Sequence, residues 1–160
     1  MHQVYLSLGT NVGIRADNLK SVQYYLKRLV GTIEAQSSIY ETQPWGVSQQ
    51  ANFLNMVVVM NTSLSPSNTL LTVLAIEKIM GRVRKEKWNS RLIDIDLLFY
   101  DDLILQEPFL EIPHPFIQER NFVLVPLNEI AATKVHPVFN KSIRTLLNSC
   151  KDSLNCQIVM

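Results

Sequence analysis

Residues 93–100, Ile-Asp-Ile-Asp-Leu-Leu-Phe-Tyr, decide how this chain folds. Two aspartates alternate with apolar residues before an apolar run, a pattern typical of a strand that is buried along most of its length. Side chains two positions apart on a strand point to the same face, so Asp94 and Asp96 emerge together, opposite Ile95. The stretch therefore predicts a core strand that carries a pair of carboxylates at its start.

The elements before this strand predict a βαββαβ order. Ser65 followed by Pro66 is typical of a helix start, and Gly81 of its end. Glu77 falls within the apolar stripe of that helix, which is unusual for a carboxylate. Earlier in the chain, alternation and spacing predict strands over residues 4–8, 33–40 and 53–60, and a helix over residues 19–30.

The remainder of the chain adds elements after this core. A loop is predicted around residues 112–115, followed by a segment over residues 122–132. A short helix near residues 142–147 and a terminal strand over residues 157–159 complete the pattern. The sequence thus predicts an α+β fold: a ferredoxin-like βαββαβ core with C-terminal additions, an antiparallel sheet with helices packed on it, and one domain over residues 1–160.

Composition excludes several classes of protein. With 160 residues, 18% charged and a net charge of +1, the chain is neither a disordered tail nor a globally basic nucleic-acid binder. Its longest apolar run, residues 56–60, is far shorter than the roughly 18 residues that cross a bilayer. We see no signal peptide, and the two cysteines, Cys150 and Cys156, are expected to be reduced thiols. The sequence predicts a cytoplasmic protein that binds no membrane.

The carboxylate pair follows a basic segment. Residues 82–91 hold five Lys or Arg residues and only Glu86 in opposition, a local charge of +4. Asp94 and Asp96 repel each other unless a cation lies between them, and hard oxygen ligands favour magnesium. Arginine forks beside a metal suit polyphosphate binding. These residues leave three alternatives open: two solvated acids on the strand face, a solvated basic loop, and a basic patch that touches RNA.

Aromatic and amide residues form a second candidate group. Phe53 and Asn55 share a strand face, where a flat heterocycle could stack on the ring and pair with the amide. A core phenylalanine and a strand-end amide are the alternative. His114, between two prolines, could bind phosphate, titrate or lie in a rigid turn. Trp45 and Trp88 fall in predicted loops, where large aromatics suggest ligand contacts or lids.

No glycine-rich phosphate loop of the Walker type and no Gly-x-Ser-x-Gly elbow occur in the chain. Phosphoryl chemistry here would therefore rest on arginines and metal.

Together these residues resemble the 6-hydroxymethyl-7,8-dihydropterin pyrophosphokinase family of folate biosynthesis. The resemblance runs from residue 8 to about residue 132, and residues 81–96 are its most specific part. It also includes Gly9-Thr10-Asn11, Tyr40-Glu41-Thr42, Asn52-Phe53-Leu54-Asn55, Pro113-His114-Pro115 and residues 120–127.

The resemblance implies transfer of pyrophosphate from ATP to the hydroxymethyl group of the pterin, with release of AMP. It implies two magnesium ions on Asp94 and Asp96, and catalytic roles for these two residues with Arg82 and Arg91. Implied pterin contacts are Thr42, Gln43, Pro44, Trp45, Phe53, Asn55 and Phe122. Implied nucleotide contacts are Arg82, Arg84, Trp88, Arg91, Leu97, His114 and Arg120. It assigns no role to Glu77 and names no protein partner.

Three departures and one alternative function accompany the resemblance. Gly9-Thr10-Asn11 stands where the family usually has Gly-Ser-Asn, which preserves the hydroxyl. Trp88-Asn89-Ser90-Arg91 stands where the family usually has Trp-Gly-Pro-Arg, which alters the stiffness of the loop. Pro115 stands where some members have a tyrosine, so that phosphate contact is not carried over. A ferredoxin-like single-stranded RNA-binding module without catalysis is the alternative, although an unmetallated aspartate pair would repel a phosphate backbone.

Overall fold

The structure is a computed structural model that describes residues 1–45, 50–82 and 92–159. Strands among these residues are β1 (His2–Thr10), β2 (Gly31–Gln36), β3 (Tyr40–Thr42), β4 (Phe53–Thr62), β5 (Asp94–Tyr100), β6 (Leu105–Glu107), β7 (Leu110–Ile112), β8 (Val135–His136), β9 (Lys141–Ser142) and β10 (Cys156–Ile158). The helices are α1 (Arg15–Leu29), α2 (Pro66–Ile79), α3 (Asn121–Ala131) and α4 (Ile143–Ser149).

The main sheet is antiparallel throughout and has ferredoxin-like topology. Its strands lie in the order β10-β3-β4-β1-β5, and β2 pairs with the far end of β4. The core strands β5, β1, β4 and β2 are thus arranged fourth, first, third and second, as in a βαββαβ sandwich. The predicted fold class is confirmed.

Each face of the sheet carries its own core. Alternate β1 residues Val4, Leu6 and Leu8 pack with α1 and α2 in one apolar cluster. On the opposite face, Tyr5 packs with α3 and α4 in a second cluster, together with Val57 of β4. The second cluster fills only part of its face, and the remainder of that face holds the candidate site.

Local signals predicted α2 and α4, whereas α1 begins at Arg15, ahead of the predicted residue 19, and the segment over residues 122–132, for which the sequence predicts no element, is the helix α3. Ser65 caps α2 by accepting a hydrogen bond from the backbone amide of Asn68 (3.3 Å), as the Ser-Pro pair predicts. Within α1, however, Leu29 is 46% exposed and lies outside the core. No helix in the described ranges is long and apolar enough to cross a membrane.

The strand predicted over residues 33–40 is two strands. β2 pairs with one end of β4 and β3 with the other, while Ser37 between them bridges to Val57 through its hydroxyl (3.0 Å) and its own amide (2.9 Å). The β6–β7 and β8–β9 hairpins are further elements that the predicted pattern lacks. Such short strands carry too little periodicity to predict from sequence.

Candidate active site

The candidate site lies at one edge of the sheet, on its α3 face, where β1 and β3 end and β4 and β5 begin. Gly9 of β1 stands opposite Asn55 of β4 on one side and opposite Asp94 of β5 on the other. One strand further out, Thr42 of β3 stands opposite Phe53. Because opposite residues share a face, the aromatic–amide group and the carboxylate pair form one continuous surface.

Gly9 is the residue that lets the two groups approach. A Cβ atom built at Gly9 would lie 2.7 Å from Oδ1 of Asn55, closer than carbon and oxygen atoms tolerate. The Asn55 side chain therefore rests directly on the Gly9 backbone and donates through Nδ2 to Oγ1 of Thr42 (2.6 Å). Both polar side chains are buried, so this hydrogen bond fixes the orientation of the amide.

Glu77, which the sequence left without a role, joins α2 to the start of β5. Its carboxylate is 2% exposed and accepts from the backbone amide of Ile95 (2.8 Å) and from the guanidinium of Arg82. The same Arg82 nitrogen lies 2.6 Å from Oδ1 of Asp94. A buried carboxylate needs such a cation, and the pair holds Arg82 against the first aspartate.

Arg120 connects the carboxylates to the aromatic residues. Its Nη1 lies 3.6 Å from Oδ2 of Asp96. Its guanidinium carbon lies 5.2 Å from the ring centre of Trp45, 5.2 Å from that of Phe116 and 5.7 Å from that of Phe122. These distances suit cation–π contacts, so one arginine packs against three rings while facing an aspartate.

His114 lies beside this arginine. Burial, with Arg120 as the second cause, lowers the pKa of His114 to about 4, while Asp94 opposes the shift. The ring is therefore neutral at pH 7. Its Nδ1 accepts from the backbone amide of Phe116 (3.2 Å), which leaves the proton on Nε2 as a donor.

The other predicted site residues differ in how exposed they are and in whether they reach the site. Phe53 and Phe122 are both half-buried, as are Pro44 and Trp45, whereas Gln43 is exposed. Leu97 is buried in the core on the opposite face from the two aspartates, so the structure does not bring its side chain to their surface. Arg84, Trp88 and Arg91 lie outside the described residues.

Two residues near the site were not predicted from sequence. Phe116 contacts Arg120 and lies 5.9 Å, centre to centre, from the His114 ring. Asn18 of α1 donates to Oγ1 of Thr10 (3.0 Å) and to the carbonyl oxygen of Leu92 (3.2 Å), tying the β1 turn to the start of β5. The sequence indicates Asn18 only as an asparagine in the first turn of an amphipathic helix. It does not predict which distant residues the side chain contacts.

The donor set at the carboxylate pair fits magnesium. Asp94 and Asp96 supply oxygen ligands from one face, and Mg²⁺ is commonly held by one or two carboxylates with substrate phosphates and water completing its shell. Within residues 1–45, 50–82 and 92–159, no three His, Cys, Asp or Glu residues converge as a closed metal cage. The arrangement suits an ion that arrives with a phosphate ligand.

Residues 5–132 match the family model for 7,8-dihydro-6-hydroxymethylpterin-pyrophosphokinase, HPPK. The chain belongs to the HPPK family. The resemblance that the sequence motifs indicate is thereby confirmed.

This chain is similar to curated HPPK relatives over most of their length. The 2-amino-4-hydroxy-6-hydroxymethyldihydropteridine pyrophosphokinase of Aquifex aeolicus is 40% identical over 144 residues, which cover 90% of this chain and 89% of that protein. The enzyme of the same name from Synechocystis is 43% identical over 147 residues, covering 91% of this chain and 75% of that protein.

Solved structures show the same fold. The crystal structure of wild-type Plasmodium falciparum HPPK-DHPS superposes with a TM-score of 0.76 at 19% identity, covering 92% of this chain. This chain spans 44% of that longer chain. At this identity, the likeness supports the HPPK fold alone.

Proposed function

We propose that the surface between Phe53 and Asp96 carries the HPPK reaction in this chain. Pyrophosphate is transferred from ATP to the hydroxymethyl group of 6-hydroxymethyl-7,8-dihydropterin, releasing AMP, as a step of folate biosynthesis. The single observation that supports this proposal is Arg120, which touches the aromatic group on one side and Asp96 on the other. Family membership favours this enzyme over the RNA-binding alternative.

The pterin would occupy the aromatic end of the surface. Phe53 and Phe122 offer rings for stacking, worth about 1–3 kcal/mol per flat heterocycle in comparable sites. Asn55, held by Thr42, presents its amide at the floor of this end. An oriented amide selects the hydrogen-bonding edge of a heterocycle, because a mismatched edge leaves buried polar atoms unpaired. Gln43, Pro44 and Trp45 would line the rim.

The triphosphate would occupy the carboxylate end. Asp94 and Asp96 would hold magnesium, two ions by family resemblance, which when bound neutralises phosphate charge and acidifies the substrate hydroxyl. Arg120 faces the same space and neutralises anionic oxygens. His114, neutral with its proton on Nε2, donates a hydrogen bond to a phosphate oxygen without adding charge.

The chemical step is an in-line displacement at the β-phosphorus. The hydroxymethyl oxygen releases its proton to water and bonds to that atom as the bond to the oxygen shared with the α-phosphate breaks, and AMP leaves with this oxygen. No protein nucleophile is needed, so positioning and electrostatic stabilisation by the arginines supply the rate. Arg82, Arg84, Trp88 and Arg91 are proposed to close over the nucleotide. A contact between Leu97 and the adenine would be made through the Leu97 backbone, because its side chain is buried in the core on the opposite face.

A coupled assay for AMP release tests the proposal. Purified protein is given ATP and Mg²⁺, with and without the hydroxymethyl pterin. We expect AMP to form only when the pterin is present. Formation of ADP instead, AMP release without pterin, or tight binding of a short RNA that competes with ATP would contradict the proposal.

We also propose a reducing, cytoplasmic setting. Cys150 and Cys156 are both free thiols, as is typical of such compartments. The proposed ligands are small molecules, ATP and the hydroxymethyl pterin, and neither a nucleic acid nor a membrane is proposed as a partner.

A further inference from the structure

The C-terminal segment, residues 150–158, contacts α3 and β3, two of the three elements that carry predicted pterin contacts. It follows α4 and lies beyond residues 5–132, which match the family. Its residues alternate in exposure: Asp152, Leu154 and Cys156 are half-buried, and the residues between them are exposed. One side of the segment therefore faces the protein from Asp152 to Cys156.

Asp152 caps the start of α3 from this segment. Its Oδ2 accepts from the backbone amide of Asn121 (2.9 Å), the first residue of the helix. Arg120, at the N-cap position, makes no capping hydrogen bond of its own. A carboxylate here satisfies an otherwise unpaired amide and interacts favourably with the helix dipole.

Further bonds fix Asp152 and the helix start relative to each other. Oδ1 of Asp152 accepts from the backbone amide of Leu154 (3.0 Å), which orients the carboxylate. The Asn121 side chain donates to the carbonyl oxygen of Leu154 (3.1 Å). Phe122 comes directly after Asn121, so a shift of this first turn would move the Phe122 ring.

The same segment pairs with β3 as strand β10. Cys156 stands opposite Thr42, and Ile158 stands opposite Tyr40. The backbone amide of Val159 donates to the carbonyl oxygen of Ile39 (2.9 Å), extending the pairing. β3 therefore has neighbours on both sides, β4 and β10, and Thr42 is held in the position from which it accepts the Asn55 hydrogen bond.

We propose that residues 150–158 set the position of Phe122 and Thr42 around the pterin, with Asp152 as the positioning residue. This inference rests on the proposed function, since it assigns the contacts to the pterin end of the site. The C-terminal segment acts on pterin affinity through α3 and β3, and it touches neither Asp94 nor Asp96 in the contacts described above.

The test compares Asp152→Ala, Asp152→Asn and Ser142→Ala with the wild-type enzyme. Steady-state KM values for pterin and ATP are measured together with Tm. We expect Asp152→Ala to raise the pterin KM by up to about 5-fold, the most that a cap worth about 1 kcal/mol can contribute. The ATP KM should rise less, because Arg120, which precedes Asn121, is also held by Asp96 and by three aromatic rings. Asp152→Asn keeps one carbonyl acceptor, so its effect should be smaller.

Ser142→Ala is the matched control. Ser142 caps α4 by accepting from the backbone amide of Thr145 (3.2 Å), so its loss costs stability while the Asp152 hydrogen bonds and the β3–β10 pairing keep all their partners. We expect a lower Tm and an unchanged pterin KM. Because Asp152→Asn keeps the shape of the side chain, it remains informative if Asp152→Ala does not fold.

Three outcomes would overturn the inference. They are an unchanged pterin KM in both Asp152 variants, an equal rise of both KM values, and a Ser142→Ala variant whose pterin KM rises in parallel with its loss of Tm. A wild-type enzyme without pterin-dependent AMP release would overturn the proposed function as well. If the wild-type enzyme releases AMP in a pterin-dependent way and both Asp152 variants keep the wild-type pterin KM, only the positioning role of Asp152 is overturned.

Discussion

Asp94 and Asp96 each face an arginine across the site, Arg82 at 2.6 Å and Arg120 at 3.6 Å. Because the pair is proposed to hold the metal, Asp96→Ala is expected to abolish AMP formation, and Asp94→Ala to be similarly severe. AMP formation is measured over a magnesium titration, with circular dichroism to verify folding. Near-wild-type AMP formation at limiting magnesium in either variant would show that the metal assignment is wrong.

Substitution of Phe53 can separate a role in pterin binding from a role in ATP binding. Phe53→Ala is expected to raise the pterin dissociation constant by about 5-fold or more, since stacking is worth about 1–3 kcal/mol, and to leave ATP-analogue binding nearly unchanged. Isothermal calorimetry with each ligand measures both. Tyr24→Ala removes an exposed ring from α1, on the opposite side of the sheet, and serves as the control. Equal losses for both ligands would indicate a core role for Phe53.

At the scale of elements, α2 and β5 are joined through Glu77 and Arg82. Arg82→Ala would remove the Arg82 ion pair from the buried Glu77 carboxylate, and loss of one partner of a buried pair is destabilising. We therefore expect Arg82→Ala to lower Tm clearly. Glu77→Gln, which keeps an oxygen for the Ile95 amide but removes the charge, should lower Tm less. Differential scanning calorimetry compares the two, and an unchanged Tm in Arg82→Ala would contradict this account.

Arg82 and Arg91 bracket the segment that the family resemblance assigns to a closing lid. An arginine that reaches phosphate only after closure stabilises the transition state more than the ground state. Arg91→Ala is expected to lower the single-turnover rate by about 10²–10³-fold, with ATP-analogue affinity comparatively intact. The same loss is expected of Arg82→Ala at a temperature where the variant remains folded, because Arg82 also pairs with Glu77 and Asp94. Rapid-quench kinetics beside equilibrium binding measures this. A pure affinity defect with an unchanged rate would contradict the lid and leave the enzyme class standing.

At the scale of the whole molecule, buried histidines link stability to pH. His136 is 3% exposed, and its Nδ1 accepts from the backbone amides of Val138 (3.3 Å) and Phe139 (3.4 Å). Burial, followed by the charge of Lys134, lowers the pKa of His136 below its usual 6.5. The unfolded chain therefore binds a proton more readily than the folded one as pH falls below about 6.5.

This linkage predicts that stability is full above about pH 6.5 and is lost as pH falls toward the lower pKa of the folded state. The depressed pKa of His114, about 4, acts in the same direction. Tm measured from pH 7.5 to 4.5 should decline, and His136→Asn, which keeps an acceptor but does not titrate, should show a shallower decline. A wild-type Tm that rises on acidification would contradict the sign of this linkage.

The sequence by itself determined the local features of this protein. Ser65-Pro66 places the start of α2, and the alternation in residues 93–100 places Asp94 and Asp96 on one face of β5, because caps and side-chain alternation depend only on neighbouring residues. The βαββαβ order and the family motifs were also readable. The individual site roles carried by those motifs remain predictions.

Only the tertiary structure decided which residues those elements contact. β2 and β3 separate because opposite ends of β4 pair with them, and Glu77 finds its role because α2 packs beside β5. The carboxylate of Asp152 reaches Asn121 across 31 residues of chain, a distance over which periodicity carries no information. Burial and hydrogen bonding between segments far apart in sequence selected these contacts, since each buried amide or carboxylate needs a partner that its own segment does not supply.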